Sequence, residues 1–164
     1  MLRLERLAEG HSAELLRFET ENRAFFARSV RDRGDEYFAR FDERHAALLE
    51  EQRAGVCHFH VLVGEDGRVV GRFNLFDVAD GTAELGFRVG EASAGRGVAK
   101  QGVRLVIALA RDSYGLERLT ADAEVRNGAS RAVLRATGFV EVGDAVRSGQ
   151  PCIRHELDLS APLL

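Results

Sequence analysis

Apolar and charged residues alternate over residues 2–7, the period-2 pattern of a half-buried strand, and His11-Ser12-Ala13-Glu14 then opens a helical segment. Between residues 35 and 53 the apolar positions Tyr37, Phe38, Phe41, Ala46, Leu48 and Leu49 recur at helical spacing among many charges, which predicts one surface helix with a single buried stripe. Residues 56–63 and 68–76 read as strands joined through Gly64-Glu65-Asp66-Gly67, whose Asp-Gly pair is a hairpin signal. Asp80-Gly81 repeats the signal before a strand that holds Glu84 and ends at Val89. The helix of residues 97–113 carries Val98, Gly102, Leu105, Val106, Leu109 and Ala110 on one face and stops near Gly115. Residues 118–124 read as a strand, 127–137 as a short helix stopped by Gly138, and 139–142 and 152–159 as closing strands.

The resulting order is β-α-α-β-β-β-α-β-α-β-β, an α+β domain with a mixed, largely antiparallel sheet of about seven strands and helices on both faces. Because a helical crossover joins them, the strands holding residues 87–89 and 119–123 are expected to be parallel neighbours. No repeat or Pro-rich linker interrupts the chain, whose prolines stand only at 151 and 162, so residues 1–164 are expected to form one domain. With 45% hydrophobic and 30% charged residues the composition is that of a globular domain with a real core, which sets disordered and membrane classes aside. A formal charge of -3 leaves no basic footprint for nucleic acid. The charged N-terminus and the lack of a long apolar run point to the cytoplasm. Cys57 and Cys152 read as structural. His58 and His60 share a strand face without a third ligand, so no metal site is expected.

The segment with chemical content is Gly95-Arg96-Gly97-Val98-Ala99-Lys100, a small-residue turn feeding an amphipathic helix. Glycines let such a turn form without Cβ clashes, and the first helix amides, unpaired, suit a phosphate. The dinucleotide fingerprint fails at its third glycine and at the strand junction, since five residues separate Val89 from Gly95. The nucleotide-hydrolase loop fails as well, because no Gly-Lys pair followed by Ser or Thr occurs.

Ala83-Glu84-Leu85-Gly86-Phe87, this turn, then Asn127-Gly128-Ala129-Ser130 and Thr137-Gly138-Phe139 together resemble the GNAT N-acetyltransferase superfamily. Within it they resemble the branch of ribosomal-protein N-terminal alanine and serine acetyltransferases. The likeness spans about residues 1–160, with Glu21-Asn22-Arg23 and the strand 70–76 where that branch carries similar segments. It implies acetyl-coenzyme A as cosubstrate, with its pyrophosphate on Gly95, Arg96, Gly97, Val98, Ala99 and Lys100 and its pantetheine arm paired along Phe87, Arg88 and Val89. The family's loop usually begins with Gln or Arg where this chain has Ala94, so one side-chain contact is missing, and Arg96 and Lys100 are the cations placed to compensate.

The resemblance further implies Glu84 as general base, Ser130 as the acid for the leaving thiolate and Asn127 as a coenzyme contact. For Glu84 the competing reading is an ion pair with Arg88 or a loop arginine; for Asn127 a plain helix N-cap; for Ser130 an exposed helix serine. Phe139 reads as core, and Phe25, Phe26, Tyr37, Phe38 and Phe41 as core or as lining of the acceptor entrance. The implied acceptor is a primary amine, either a protein N-terminus such as that of a ribosomal protein or a small molecule such as an antibiotic or an amino acid derivative. A coenzyme-binding module without catalysis is the alternative class, a dinucleotide oxidoreductase stands third, and a homodimer is compatible with the fold.

Overall fold

The computed structural model describes residues 1–160. Seven strands, β1 (Arg3–Arg6), β2 (His58–Val63), β3 (Val69–Ala79), β4 (Thr82–Val89), β5 (Arg118–Glu124), β6 (Val140–Arg147) and β7 (Gln150–Asp158), form one sheet in the order β1-β2-β3-β4-β5-β7-β6. Every neighbouring pair is antiparallel except β4 with β5. Both Asp-Gly turns are hairpins, with Gly67 and Gly81 at positive φ, and a third hairpin turns at Ser148-Gly149, also at positive φ. That last turn lengthens the two closing strands beyond the expected 139–142 and 152–159.

Helices α1 (Ser12–Glu21), α2 (Arg23–Ala27), α3 (Asp35–Ala39) and α4 (Phe41–Arg53) cover one face of the sheet. Leu15, Phe18, Phe26, Phe41 and Leu49 pack there on Phe59, Val61, Val63 and Val69. Helices α5 (Val98–Asp112) and α6 (Gly128–Ala136) cover the other, where Val103, Val106, Ala110 and Leu134 meet Leu62, Phe73, Leu85, Leu119 and Ala121. Phe139 is buried in this second cluster, as are Phe26 and Phe41 in the first.

Two expectations about the helices need correction. The single helix of residues 35–53 is broken at Arg40, whose φ of -114° and ψ of 31° leave the helical region. The break turns Tyr37 inward, so that its ring stands edge-on to Phe41 and its hydroxyl accepts from Arg72 at 3.1 Å. The helix α2 was also not expected, which makes four helices rather than two between β1 and β2.

His60 illustrates a buried polar residue with a structural task. Its Nδ1 contacts the Phe73 carbonyl at 2.9 Å and its Nε2 the Tyr114 hydroxyl at 2.6 Å, while His58 stacks on the Tyr114 ring. Burial pushes the imidazole down to about 4, with the Phe73 carbonyl working the other way. Below the usual pKa of about 6.5 the unfolded chain therefore takes up a proton that the folded chain refuses, so stability falls between about pH 6.5 and 4. The expected loss at this site is about 3 kcal/mol. Urea titrations across that window will show the slope, and in His60→Gln most of it should vanish; an identical pH profile in both proteins would contradict the assignment.

Candidate active site

The parallel ladder between β4 and β5 is short. It pairs Thr82, Ala83 and Glu84 with Arg118, Leu119 and Thr120, and then ends. Beyond that point β5 stays with β7 as far as Glu124, and β4 stays with β3 as far as Val89, so the two strands diverge and leave a wedge between them. The two strands are the parallel neighbours expected, and beyond the Glu84–Thr120 pair residues 87–89 and 121–124 border the gap, because each strand is there held by its other partner. Gly90 N–H donates to the Val70 carbonyl at 2.9 Å. Main-chain groups alternate along a strand, so even-numbered residues of β4 face β3, and the amides and carbonyls of Phe87 and Val89 face the gap. A ligand built of amides can pair there as an added strand would.

Past Val89 a short turn (Glu91–Ser93) leads into the glycine segment. Gly95 at φ 73° and Gly97 at φ 75° adopt a left-handed conformation that a side chain would strain, and Gly97 is the residue that caps α5. No side chain caps this helix. The amides of residues 95–100 donate to no other described residue, so six consecutive N–H groups stand at the positive end of a 15-residue helix. Arg96 is exposed and Lys100 half-buried, and among the described residues neither has an ion-pair partner. Free amides with two uncommitted cations are the donor set a diphosphate requires. Ala94, also exposed, adds no polar side chain.

Across the gap β5 leads into α6, which packs on α5 and β5. Asn127 caps it: its side-chain oxygen accepts from the Ser130 N–H at 3.2 Å. The half-buried Ser130 hydroxyl has no partner among the described residues.

On the face opposite α5, Glu84, Gly86 and Arg88 lie in a row. Glu84 is half-buried and ion-paired with Arg147 from the β6–β7 hairpin, so it is a hairpin arginine, and not Arg88, that meets it. Arg147 also donates to Asp122 at 3.0 Å, and Arg154 grips the same nearly buried Asp122 through Nε and Nη2 at 2.9 Å each. Arg88 turns instead to Glu19, at 3.1 Å, with its guanidinium over the Phe26 ring. Glu19 is buried and shared by three arginines: Arg72 reaches one carboxylate oxygen at 2.9 Å, while Arg33 (3.3 Å) and Arg88 share the other. Burial raises its pKa, but the three guanidiniums outweigh that and hold it below the usual carboxylate range.

Asp122, Arg147, Arg154, Glu19 and Arg72 were not singled out in the sequence. Alternation could have placed Asp122 on the face of Glu84 once the β4–β5 register was known; nothing local marks the others.

The chain matches the family model described as Acetyltransferase (GNAT) domain over residues 1–140. The chain belongs to the GNAT acetyltransferase family. It is similar to the probable N-acetyltransferase YjcK of Bacillus subtilis (strain 168), 31% identical over 138 residues that cover 80% of this chain and 76% of that protein. Among solved structures it is similar to the ribosomal-protein-S5-alanine acetyltransferase of Vibrio fischeri, with TM-score 0.90 and 18% identity, covering 97% of this chain and 93% of that one. It also resembles the spermidine N-acetyltransferase of Vibrio cholerae solved with CoA and spermine, with TM-score 0.82 and 17% identity over 97% of this chain and 96% of that one. This GNAT protein is an acetyl-coenzyme A dependent N-acetyltransferase with the α+β architecture of its family. No helix among the described residues is long and apolar enough to cross a membrane.

Proposed function

We propose that this protein transfers the acetyl group directly from acetyl-coenzyme A to a primary amine while both are bound, within a single domain. The observation that carries the reading is the pairing of a β4–β5 ladder that ends at Glu84 with an amide-lined turn at residues 95–100 that follows β4 in the chain. Those amides, with Arg96 and Lys100, take the diphosphate. The main chain of Phe87 and Val89 holds the pantetheine arm, with Arg88 between them, and one of their amides donates to the oxygen that gains charge as the thioester carbonyl is attacked. The amine nitrogen bonds to the carbonyl carbon, its proton passes to Glu84 directly or through water, and the carbon–sulfur bond breaks. Ser130 donates a hydrogen bond to the departing thiolate and relays to it a proton taken up from solvent, which leaves the hydroxyl restored, and Asn127 fixes the turn that presents Ser130. Orientation of the two reactants supplies on the order of 7 to 11 kcal/mol in well-aligned cases, so modest acid–base help suffices.

Glu84 is free to take the proton when the half-exposed Arg147 side chain turns away from it. The test is thiol release from acetyl-coenzyme A with an amine panel. Glu84→Gln is expected to lower kcat by about 100-fold or more with little change in the coenzyme KM, and Ser130→Ala to lower it by a smaller factor. Unchanged turnover of either variant across roughly pH 6 to 9 would remove that residue from the chemistry. Tight coenzyme binding with no release for any acceptor would favour a non-catalytic module.

For the acceptor, the fold of the ribosomal-protein enzyme argues for a protein N-terminus. The exposed edge strand β6, with Val140, Val142 and Val146 uncovered, is compatible with a homodimer.

A further inference from the structure

Arg147 is the last residue of β6, beside the Ser148-Gly149 turn, and its guanidinium bridges two carboxylates. Its Nη2 meets Glu84 Oε1, and its Nε donates to Asp122 Oδ2 at 3.0 Å. The two carboxylates do not depend on it equally. Arg154 already holds both oxygens of Asp122, through Nε and Nη2 at 2.9 Å each, so this buried charge stays paired when Arg147 is gone. Glu84 has no such second cation. Among the described residues its ion pair is with Arg147 alone, because Arg88, the other arginine on that face of β4, is spent on Glu19.

The neighbours of Glu84 show from which side a ligand reaches it. Phe76 is its partner on β3, and the Phe76 ring lies over Gly86, with Cε2 3.0 Å from where a Cβ would stand, so the way along β4 toward Arg88 is closed. On the other side Thr120 is its partner on β5, and Asp122 follows two residues on, on the same face. The side that Arg147 fills leads to water, since 51% of that side chain is exposed. A guanidinium and an ammonium ask the same of Glu84, a charged hydrogen-bond acceptor.

Resting on the acetyl-transfer reading above, we propose that Arg147 is a specificity-determining residue of the acceptor site: its guanidinium occupies the place at Glu84 that the acceptor's ammonium takes, and the acceptor enters by displacing it. An amine that arrives protonated exchanges one cation for another and leaves Glu84 paired. Such an internal occupant lowers the apparent affinity for the acceptor by the fraction of time it leaves the place free. It leaves the saturated rate alone, because in the ternary complex it is already displaced.

The test compares the parent with Arg147→Ala and Arg147→Lys on whichever amine of the panel is acetylated. In Arg147→Ala the acceptor KM is expected to fall by about 3- to 10-fold, the worth of a half-exposed ion pair. The gain should be carried by KM rather than kcat, with the KM for acetyl-coenzyme A unmoved. Arg147→Lys, which keeps the cation, should stay near the parent. Binding is also read without turnover. Methylguanidinium, which reproduces the lost head group, should shift the side-chain carboxyl 13C resonance of Glu84 saturably in Arg147→Ala, and more tightly than in the parent. An acceptor KM unchanged or raised in Arg147→Ala, a fall as large in Arg147→Lys, or methylguanidinium binding of equal strength in parent and Arg147→Ala would each overturn the proposal. If no amine is acetylated, the transfer reading fails by itself, and the methylguanidinium titration still decides the place at Glu84.

Discussion

Gly102→Ala is expected to be among the most damaging single substitutions in this chain, costing about 3 kcal/mol or more. Gly102 is buried on the inner face of α5, and a Cβ there would stand 2.1 Å from Phe73 Cζ and 2.5 Å from the flanking ring carbons. Phe73 cannot withdraw. It is fully buried in the centre of β3, stacked on Phe87 at 5.9 Å between centroids. The glycine therefore sets how closely α5 approaches the sheet, and with it the position of the turn at residues 95–100 relative to the β4 edge. A thermal melt should show a fall of roughly 10 °C, and coenzyme affinity should weaken with it. Phe73→Leu in the same chain should recover much of the loss by vacating the ring. A melting temperature within a degree or two of the parent would show that the helix rides further from the sheet than described.

Reversing both cations of the turn, in Arg96→Glu with Lys100→Glu, is expected to weaken coenzyme A by about 100-fold, the worth of two charge-assisted contacts to a diphosphate. Neither residue is committed to another group, so the fold should tolerate the change with little loss of stability. Added salt should narrow the gap between parent and variant, since exposed charges are screened over about 10 Å at 0.1 M. Equal affinities in calorimetry at low salt would mean that the diphosphate lies elsewhere.

Local chemistry made much of this fold readable. Both Asp-Gly hairpins, the strand at residues 118–124, the helix after Gly97 and the Asn127 cap all follow from patterns a few residues long. What escaped depends on distant partners. An unbroken apolar stripe hides the break at Arg40, which is set by where Tyr37 meets Arg72, 35 residues away. The Ser148-Gly149 turn is a weaker hairpin signal than Asp-Gly, so the closing strands read too short. The site divides in the same way. In the proposed reading the glycine turn and the β4 edge act through main chain, and a local pattern announces both. The Glu84–Arg147 and Glu19–Arg88 pairs join residues 63 and 69 positions apart, the first brought together by the order of the strands and the second by the packing of α1 on the sheet.

The central claim concerns main-chain groups, so it is best tested at those groups. Coenzyme A titrated into 15N-labelled protein should shift the amide resonances of residues 95–100, together with Phe87 and Val89, in one saturable process. Saturable shifts that leave these amides unmoved and gather on another surface would contradict it.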